Sequence, residues 1–232
     1  MTKIAKALAL AVLTIGPIAT SHAQVATLTP YAAARDYSKW EKEIAAYEAA
    51  DRENPPPKGG IVFTGSSTIR MWKTLATDYP DRKVINRGFG GSEIVDATHF
   101  ADRIIFPHEP KQIILRAGGN DIHAGRVPEE VANDFAAFVW TVRKKLPKAE
   151  ILYLAVSPAE SRWGETDKYR DLNDRIRKMA LGMPRVGFID AFDVPLGPNG
   201  LPRPELFLED RLHFSADGYK LLTERVRPFL QP

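Results

Sequence analysis

Short apolar runs alternate with segments of helical periodicity along most of the chain. The five runs, each rich in β-branched or aromatic residues, are 61–64, 83–86, 112–115, 150–156 and 186–189. Because a helical pattern follows each of the first four runs, the sequence predicts strands joined by helical crossovers. Such crossovers are right-handed and make the strands parallel, so we predict an α/β fold with a mostly parallel sheet covered on both faces.

The segments between these runs carry their apolar residues on one helical face. The spacing predicts helices over four stretches, namely 94–104, a segment that begins at Pro128, 168–181, and a segment that follows Ser215. Proline is favoured at the first position of a helix and serine just before it, which agrees with the starts of the second and fourth helices.

Ahead of the first run, four large apolar residues recur with helical spacing. They are Tyr37, Trp40, Ile44 and Tyr47. The spacing predicts an amphipathic helix that the prolines at 55–57 bring to an end. We expect this helix to lie in an N-terminal extension, residues 24–59, to pack on the main domain, residues 60–232, and to take no part in the chemistry.

The N-terminus has the pattern of a secretory signal peptide. Lys3 and Lys6 precede an apolar run over residues 7–19, and Ser21-His22-Ala23 is a small-x-small cleavage signal. We therefore predict that residues 1–23 are cleaved off. The run is shorter than the roughly 20 apolar residues that span a bilayer, so we expect no stable membrane insertion after cleavage and a periplasmic or secreted mature protein.

Charge and cysteine content exclude several classes of function. Cleavage removes two lysines, which leaves 30 basic and 29 acidic residues and no basic run, so we expect no nucleic-acid partner. The chain has no cysteine, which excludes disulfides, thiolate metal sites and a cysteine nucleophile. The histidines are scattered and no His-Glu-x-x-His motif occurs, so we expect neither a metal nor another cofactor.

Four short polar motifs stand where strands give way to loops or helices, the edge at which open α/β sheets collect active-site residues. They are Gly65-Ser66-Ser67, residues 86–91 (Asn-Arg-Gly-Phe-Gly-Gly), residues 118–121 (Gly-Gly-Asn-Asp) and residues 210–213 (Asp-Arg-Leu-His). In the first motif, Ser67 has its N–H near a helix start, where an anion is stabilised. A serine that only caps this helix would show the same pattern.

The second and third motifs can supply hydrogen-bond donors. The glycines of the second allow backbone N–H groups to approach a ligand, but the third glycine of a dinucleotide motif would fall at Glu93, whose carboxylate would oppose a pyrophosphate. The remaining interpretations of the second motif are a plain turn and an oxyanion site. In the third motif, the Asn120 amide can donate to developing negative charge, although an ordinary turn would also place an asparagine there.

The fourth motif pairs an acid with a base. Three residues separate Asp210 from His213, which can bring the carboxylate to the Nδ1–H of the imidazole and so stabilise the imidazolium that forms when Nε2 takes a proton. A surface ion pair or half of a metal site would use the same residues. Asp190 and Asp193 follow the fifth strand and could supply the acid instead, but neither has a histidine three residues away.

With these motifs in this order, residues 60–229 resemble the SGNH hydrolases, also called the GDSL esterase and lipase superfamily. The resemblance implies a flavodoxin-like three-layer α/β/α sandwich whose five parallel strands have the order 2-1-3-4-5. It also implies a serine hydrolase that acts on ester bonds.

Carried over by position, the resemblance assigns five site residues. Ser67 is similar to the family nucleophile, His213 to the general base and Asp210 to the acid that orients it. Gly91, the last glycine of its pair, and Asn120 are similar to the oxyanion donors, and the N–H of Ser67 would be a third donor.

The first motif departs from the family pattern. The usual Gly-Asp-Ser-Leu reads Gly65-Ser66-Ser67-Thr68 here, so Ser66 competes as the nucleophile, although alignment on Gly65 favours Ser67. An α/β-hydrolase, the nearest rival, needs Gly-x-Ser-x-Gly, and Ile69 stands at the position of its last glycine. The sequence is also compatible with a lipase, thioesterase or arylesterase of the same fold, and with a non-catalytic carbohydrate-binding envelope protein.

The expected substrate is a small soluble or carbohydrate ester with a short acyl or O-acetyl group. Export, a near-neutral mature charge and the lack of a long apolar lid favour it over bulk lipid. Trp163 could form a wall for a sugar ring, although anchoring its own loop is the favoured interpretation. Arg70, Arg87 and Arg116 either pair with Asp121 or Glu93 or contact an acidic substrate.

Overall fold

The computed structural model describes residues 30–232, so the predicted signal peptide lies outside the described residues. The strands found there are β1 (Ile61–Gly65), β2 (Val84–Gly88), β3 (Gln112–Arg116), β4 (Glu150–Leu154) and β5 (Val186–Ile189). They form one sheet in the order β2-β1-β3-β4-β5, and all four pairings are parallel. The predicted fold class and strand order are confirmed.

Helices connect the strands and cover the sheet. The α-helices in the described part are α1 (Pro30–Ala33), α2 (Glu41–Glu53), α3 (Ser67–Arg70), α4 (Leu75–Asp78), α5 (Ile94–His99), α6 (Ala101–Ile104), α7 (Gly119–His123), α8 (Pro128–Lys145), α9 (Thr166–Leu181) and α10 (Ala216–Val226). Short 3-10 helices cover Ser38–Trp40, Phe106–His108, Glu160–Glu165, Pro204–Leu206 and Arg227–Phe229. Across the described residues, no helix is long and apolar enough to cross a membrane.

Two apolar cores lie on opposite faces of the sheet. Successive side chains of a strand point to opposite faces, and β3 shows this directly. Ile113 and Leu115 are buried in the core that includes apolar residues of α2, α5, α8 and α9. Ile114 is buried in the second core, with residues of α3 and α10. The sheet is therefore the middle layer of a three-layer sandwich.

The predicted helix over residues 94–104 is divided in two at Phe100. The four residues of its apolar face, Ile94, Ala97, Ala101 and Ile104, are nonetheless buried in one core. The ring of Phe100 is fully buried and packs edge-on against Phe89, with 5.7 Å between the ring centroids. The shared burial explains why the periodicity passes through the break.

β4 is shorter than the predicted run 150–156. The ladder to β5 ends at Leu154, and the side chain of Asn173 in α9 then bonds both backbone groups of Val156, at 3.1 Å to its N–H and 2.8 Å to its carbonyl. The asparagine thus replaces a strand neighbour, and the chain leaves the sheet without unpaired polar groups at Val156.

Gly65 lets the chain turn sharply at the end of β1. Its φ is 120°, and a Cβ atom there would lie 2.1 Å from the carbonyl oxygen of Arg116. Only glycine tolerates both the backbone angle and the close approach. The turn brings Ser66 and Ser67 to the carboxyl edge of the sheet.

Candidate active site

Ser67 rather than Ser66 contacts the imidazole. The Oγ atom of Ser67 lies 2.9 Å from Nε2 of His213. Ser66 contributes through its backbone: its N–H donates to the carbonyl of Arg116 at 2.9 Å, and its side chain makes no capping bond to α3. Ser67 is the first residue of α3, where an N–H has no acceptor within the helix. That N–H is available to an anion bound beside the hydroxyl.

The loop before α10 holds the acid and the base together. Nδ1 of His213 lies 2.6 Å from Oδ2 of Asp210, and Oδ1 of Asp210 accepts the backbone N–H groups of Leu212 and His213, both at 2.9 Å. Partial burial would raise the pKa of the Asp210 carboxyl. The hydrogen bonds from the ring and backbone of His213 and from Leu212 outweigh burial and lower the pKa to about 2. The carboxylate is therefore ionised at neutral pH and fixed in orientation.

These contacts join the hydroxyl, the imidazole and the carboxylate in one chain of hydrogen bonds. With the imidazole proton on Nδ1, where it donates to Asp210, Nε2 is free to accept the hydroxyl proton of Ser67. A serine hydroxyl held in this way can attack an electrophilic carbon while the carboxylate stabilises the imidazolium.

The two competing aspartates have other partners. Asp190 accepts from Arg177 at 2.8 Å, and Asp193 accepts from Arg225 at 2.7 Å. Both acids are thus engaged with arginines, and Asp210 is the acid that accepts the hydrogen bond from Nδ1–H of His213.

The glycine loop after β2 presents the N–H of Gly91. The neighbouring N–H of Gly90 donates to Oε2 of Glu43 at 3.2 Å. No residue in the described part of the chain accepts from the N–H of Gly91, which has a left-handed φ of 70°. Of the two adjacent glycines, Gly91 is the one with a donor left for a ligand.

The N-terminal extension, which includes α2, does more than pack on the domain. Besides the contact from Glu43 of α2, the indole Nε1 of Trp40 donates to the carbonyl of Gly90 at 2.9 Å, and the hydroxyl of Tyr47 donates to the carbonyl of Gly88 at 2.5 Å. Three side chains of the N-terminal extension thus hold the backbone at Gly88, the end of β2, and at Gly90 in the glycine loop. The helical spacing predicts the helix but contains no signal for these contacts.

Asn120 lies near the start of α7 with its amide held at both ends. Its Nδ2 donates to the carbonyl of Ser92 at 3.0 Å, and its Oδ1 accepts from Nη1 of Arg162 at 3.1 Å. The second N–H of the Asn120 amide is left for another acceptor. In the segment after β4, sequence reasoning singles out Trp163 and misses Arg162. No local pattern marks an arginine whose side chain bonds the amide of Asn120, 42 residues away.

A small cavity opens beside Ser67 on the side of β4. Its volume is about 60 Å³, well below the roughly 300–1,000 Å³ of clefts that enclose drug-sized ligands. Ser67, Asn120 and His213 all line it. Trp163 does not line it and is 38% exposed. The cavity has room for a short group bonded to the serine.

Asp121, next to Asn120, is fully buried. Its Oδ1 accepts the N–H of Ile94 at 3.1 Å, and no described residue bonds its Oδ2. Burial, together with the negative charge of Glu93, raises the pKa of the Asp121 carboxyl to about 7. The carboxyl is thus partly protonated at neutral pH, and it ties the start of α7 to the start of α5.

Glu93, whose carboxylate would oppose a pyrophosphate, caps α5. Its side chain and that of Asp96 form a reciprocal capping box. Arg35 pairs with Glu93 at 2.9 Å, and the hydroxyl of Tyr31 donates to the same carboxylate at 2.8 Å. The N-terminal extension therefore also neutralises the acidic start of this helix.

The sequence leaves Arg70, Arg87 and Arg116 either to pair with Asp121 or Glu93 or to contact an acidic substrate, and none of the three pairs with either acid in the described chain. Arg87 pairs with Asp51, and Arg70 lies 3.7 Å from Glu43. The partners of Arg70 and Arg87 are thus acids of helix α2, and nothing local in the sequence links α2 to these arginines.

Residues 59–221 match the GDSL-like Lipase/Acylhydrolase family, which is more than half of the chain. The chain belongs to this family. The matched residues contain the whole sheet and all four motifs. Membership of the GDSL-like acylhydrolases supports ester hydrolysis as the activity, in agreement with a serine, an imidazole and a carboxylate joined at the sheet edge.

The individual relatives have low sequence identity, and the solved structures share the fold. Human platelet-activating factor acetylhydrolase IB subunit alpha1 is 25% identical over 179 residues, which are 73% of this chain and 74% of that protein. A solved structure from Streptococcus has a TM-score of 0.75 and 22% identity, covering 84% of this chain and 94% of that one. An acetyl-xylooligosaccharide esterase mutant from Geobacillus has a TM-score of 0.57 and 14% identity, covering 74% and 94%.

Proposed function

We propose that the protein is a serine esterase that hydrolyses carboxylic esters through an acyl-enzyme. The observation that carries the proposal is the chain of short contacts from Ser67 to His213 to Asp210 at the edge of an acylhydrolase fold. If Ser67 only capped a helix and Asp210 and His213 only formed a surface ion pair, Ser67 would not need to contact His213.

In this mechanism Oγ of Ser67 attacks the ester carbonyl as Nε2 of His213 takes its proton. The oxyanion accepts hydrogen bonds from the N–H of Ser67, the N–H of Gly91 and the amide of Asn120. One such donor typically contributes about 10²–10³ in kcat. His213 then protonates the leaving alcohol, and a water molecule, activated by the same imidazole, hydrolyses the acyl-enzyme.

The proposed substrates carry a short acyl or O-acetyl group on a carbohydrate or another small soluble alcohol. The cavity of about 60 Å³ beside Ser67 supports a short acyl group. The names of two relatives, an acetylhydrolase and an acetyl-xylooligosaccharide esterase, point in the same direction.

A series of p-nitrophenyl esters tests the acyl preference. We expect kcat/KM for the acetate to exceed that for the octanoate by at least about tenfold, because an acyl chain too long for its pocket loses contacts in the transition state. The leaving group is the same in both esters, so the ratio reports the acyl site. An equal or higher value for the octanoate would instead favour a lipase.

We further propose that the protein is exported to the periplasm or the medium. The charged start, apolar run and Ser21-His22-Ala23 site support export. Mass spectrometry of the protein isolated from its native host should give a mature N-terminus at Gln24. Recovery from the cytosol with Met1 or Thr2 at the N-terminus would contradict export.

A further inference from the structure

Arg116 is a buried cation that has no counter-charge among the described residues. Three arginines are buried among the described residues: Arg87, Arg116 and Arg126. Arg87 pairs with Asp51 and Arg126 pairs with Asp134. The guanidinium of Arg116 forms no ion pair with any carboxylate of the described chain, and the partners of its hydrogen bonds are neutral.

The lack of an ion pair is unusual because Arg116 is buried. Its Nη1 donates to the carbonyl of Ala155, and its Nη2 donates to Oγ of Ser157 at 2.8 Å. These two bonds use two of the five N–H groups of a guanidinium. Burial lowers the pKa of Arg116 to about 10, so the side chain stays charged at neutral pH. An unpaired buried charge is strongly destabilising, and a bound anion would offset that cost.

The cation lies at the candidate active site. Arg116 ends β3 in register with Gly65, two residues before Ser67, and both Arg116 and Ser157 line the cavity beside that serine. Arg162 lines the same cavity, and its hydrogen bonds within the described chain go to neutral oxygens. No aspartate or glutamate is among the lining residues. Two arginines therefore line a small space, and no described acidic residue lines it with them.

We propose that this cavity binds a carboxylate of the substrate, so that the preferred esters carry a carboxylate close to the scissile bond. Arg116 supplies the buried charge and Arg162 the second donor, since guanidinium groups match the geometry of carboxylates. The carboxylate belongs either to the acyl group or to the alcohol, as in an O-acylated sugar acid. This inference rests on the proposed esterase function and adds the charge of its substrate.

Two pairs of esters test the inference and separate the two sources. Monoethyl fumarate and diethyl fumarate differ by a carboxylate on the acyl side, whereas 4-acetoxybenzoate and its methyl ester differ by a carboxylate on the alcohol side. Intrinsic reactivities cancel when the charged-to-neutral ratio of kcat/KM is compared between enzyme variants.

For the pair of esters whose carboxylate reaches the cavity, Arg116→Gln should lower the charged-to-neutral ratio of kcat/KM about tenfold or more. The reason is that charge-assisted hydrogen bonds to the carboxylate are lost. Arg116→Lys should keep part of the preference. Arg143→Gln is the matched control, because Arg143 also donates to backbone carbonyls but lies at the opposite edge of the sheet. Its ratio should equal that of the wild type.

An unchanged ratio in both pairs for Arg116→Gln and for Arg162→Gln would overturn the inference. Arg162 is only partly buried, so its variant serves if Arg116→Gln does not fold. With unchanged ratios, the neutral esters could still be hydrolysed by the wild type and not by Ser67→Ala. This result would leave the esterase proposal intact and overturn only the carboxylate inference. Failure to hydrolyse any of the four esters or p-nitrophenyl acetate would overturn the esterase proposal and this inference with it.

Discussion

Ser67→Ala should lower kcat for p-nitrophenyl acetate by about 10⁴-fold or more, as expected when the nucleophile of a serine hydrolase is removed. Ser66→Ala should retain activity within a few-fold of the wild type. The two serines are neighbours with the same chemistry, but only the Oγ of Ser67 lies 2.9 Å from Nε2 of His213. Ser66 acts through its backbone, which alanine preserves.

Steady-state hydrolysis and covalent labelling by a fluorophosphonate probe together decide this assignment. Labelling should be present in the wild type and Ser66→Ala and absent in Ser67→Ala. Loss of labelling in Ser66→Ala with retention in Ser67→Ala would move the nucleophile by one residue. A wild type that neither hydrolyses esters nor reacts with the probe would favour a non-catalytic carbohydrate-binding protein.

Asp210→Asn should lower kcat by about 10³–10⁴-fold at neutral pH, the second largest effect we expect. The amide cannot accept the Nδ1–H as a carboxylate does, so the imidazole loses both its tautomer and the stabilisation of its charged form. The backbone bonds from Leu212 and His213 can still be accepted by the amide oxygen, so the loop should keep its shape.

Asp193→Asn is the matched control for this substitution. Asp193 is an acid that the sequence alone leaves as a competitor, and in the fold it pairs with Arg225. Its variant should retain near wild-type kcat, and circular dichroism should show that both variants are folded. A large loss in Asp193→Asn with little loss in Asp210→Asn would reverse the assignment of the acid.

The low pKa of Asp210 also sets the pH range over which this carboxylate stabilises the native state. The folded-state pKa of about 2 lies below the ordinary value of 3.8. Ionised Asp210 therefore stabilises the native state above the ordinary pKa, and this stabilisation is lost as pH falls toward 2. At neutral and mildly alkaline pH the carboxylate does not titrate, so any change of activity in that range arises from another group.

The N-terminal extension is where sequence reasoning fell furthest short. Periodicity located α2 and its apolar face, and Trp40 and Ile44 are indeed buried. It could not show that Glu43, on the polar side of the pattern, reaches the N–H of Gly90. Polar residues of an amphipathic helix are usually assigned to solvent, because no local signal distinguishes a solvated carboxylate from one that bonds a distant loop.

Local patterns were sufficient for the succession of strands and helices and for the motifs at the strand ends, because hydrophobic periodicity, capping and turn chemistry depend on near neighbours in the chain. Packing of distant segments was needed to bring Ser67 to His213, 146 residues away, and Glu43 to Gly90. It also left Arg116 in a cavity without an acid. A shift of one residue or one rotamer changes such contacts, so no local pattern can specify them.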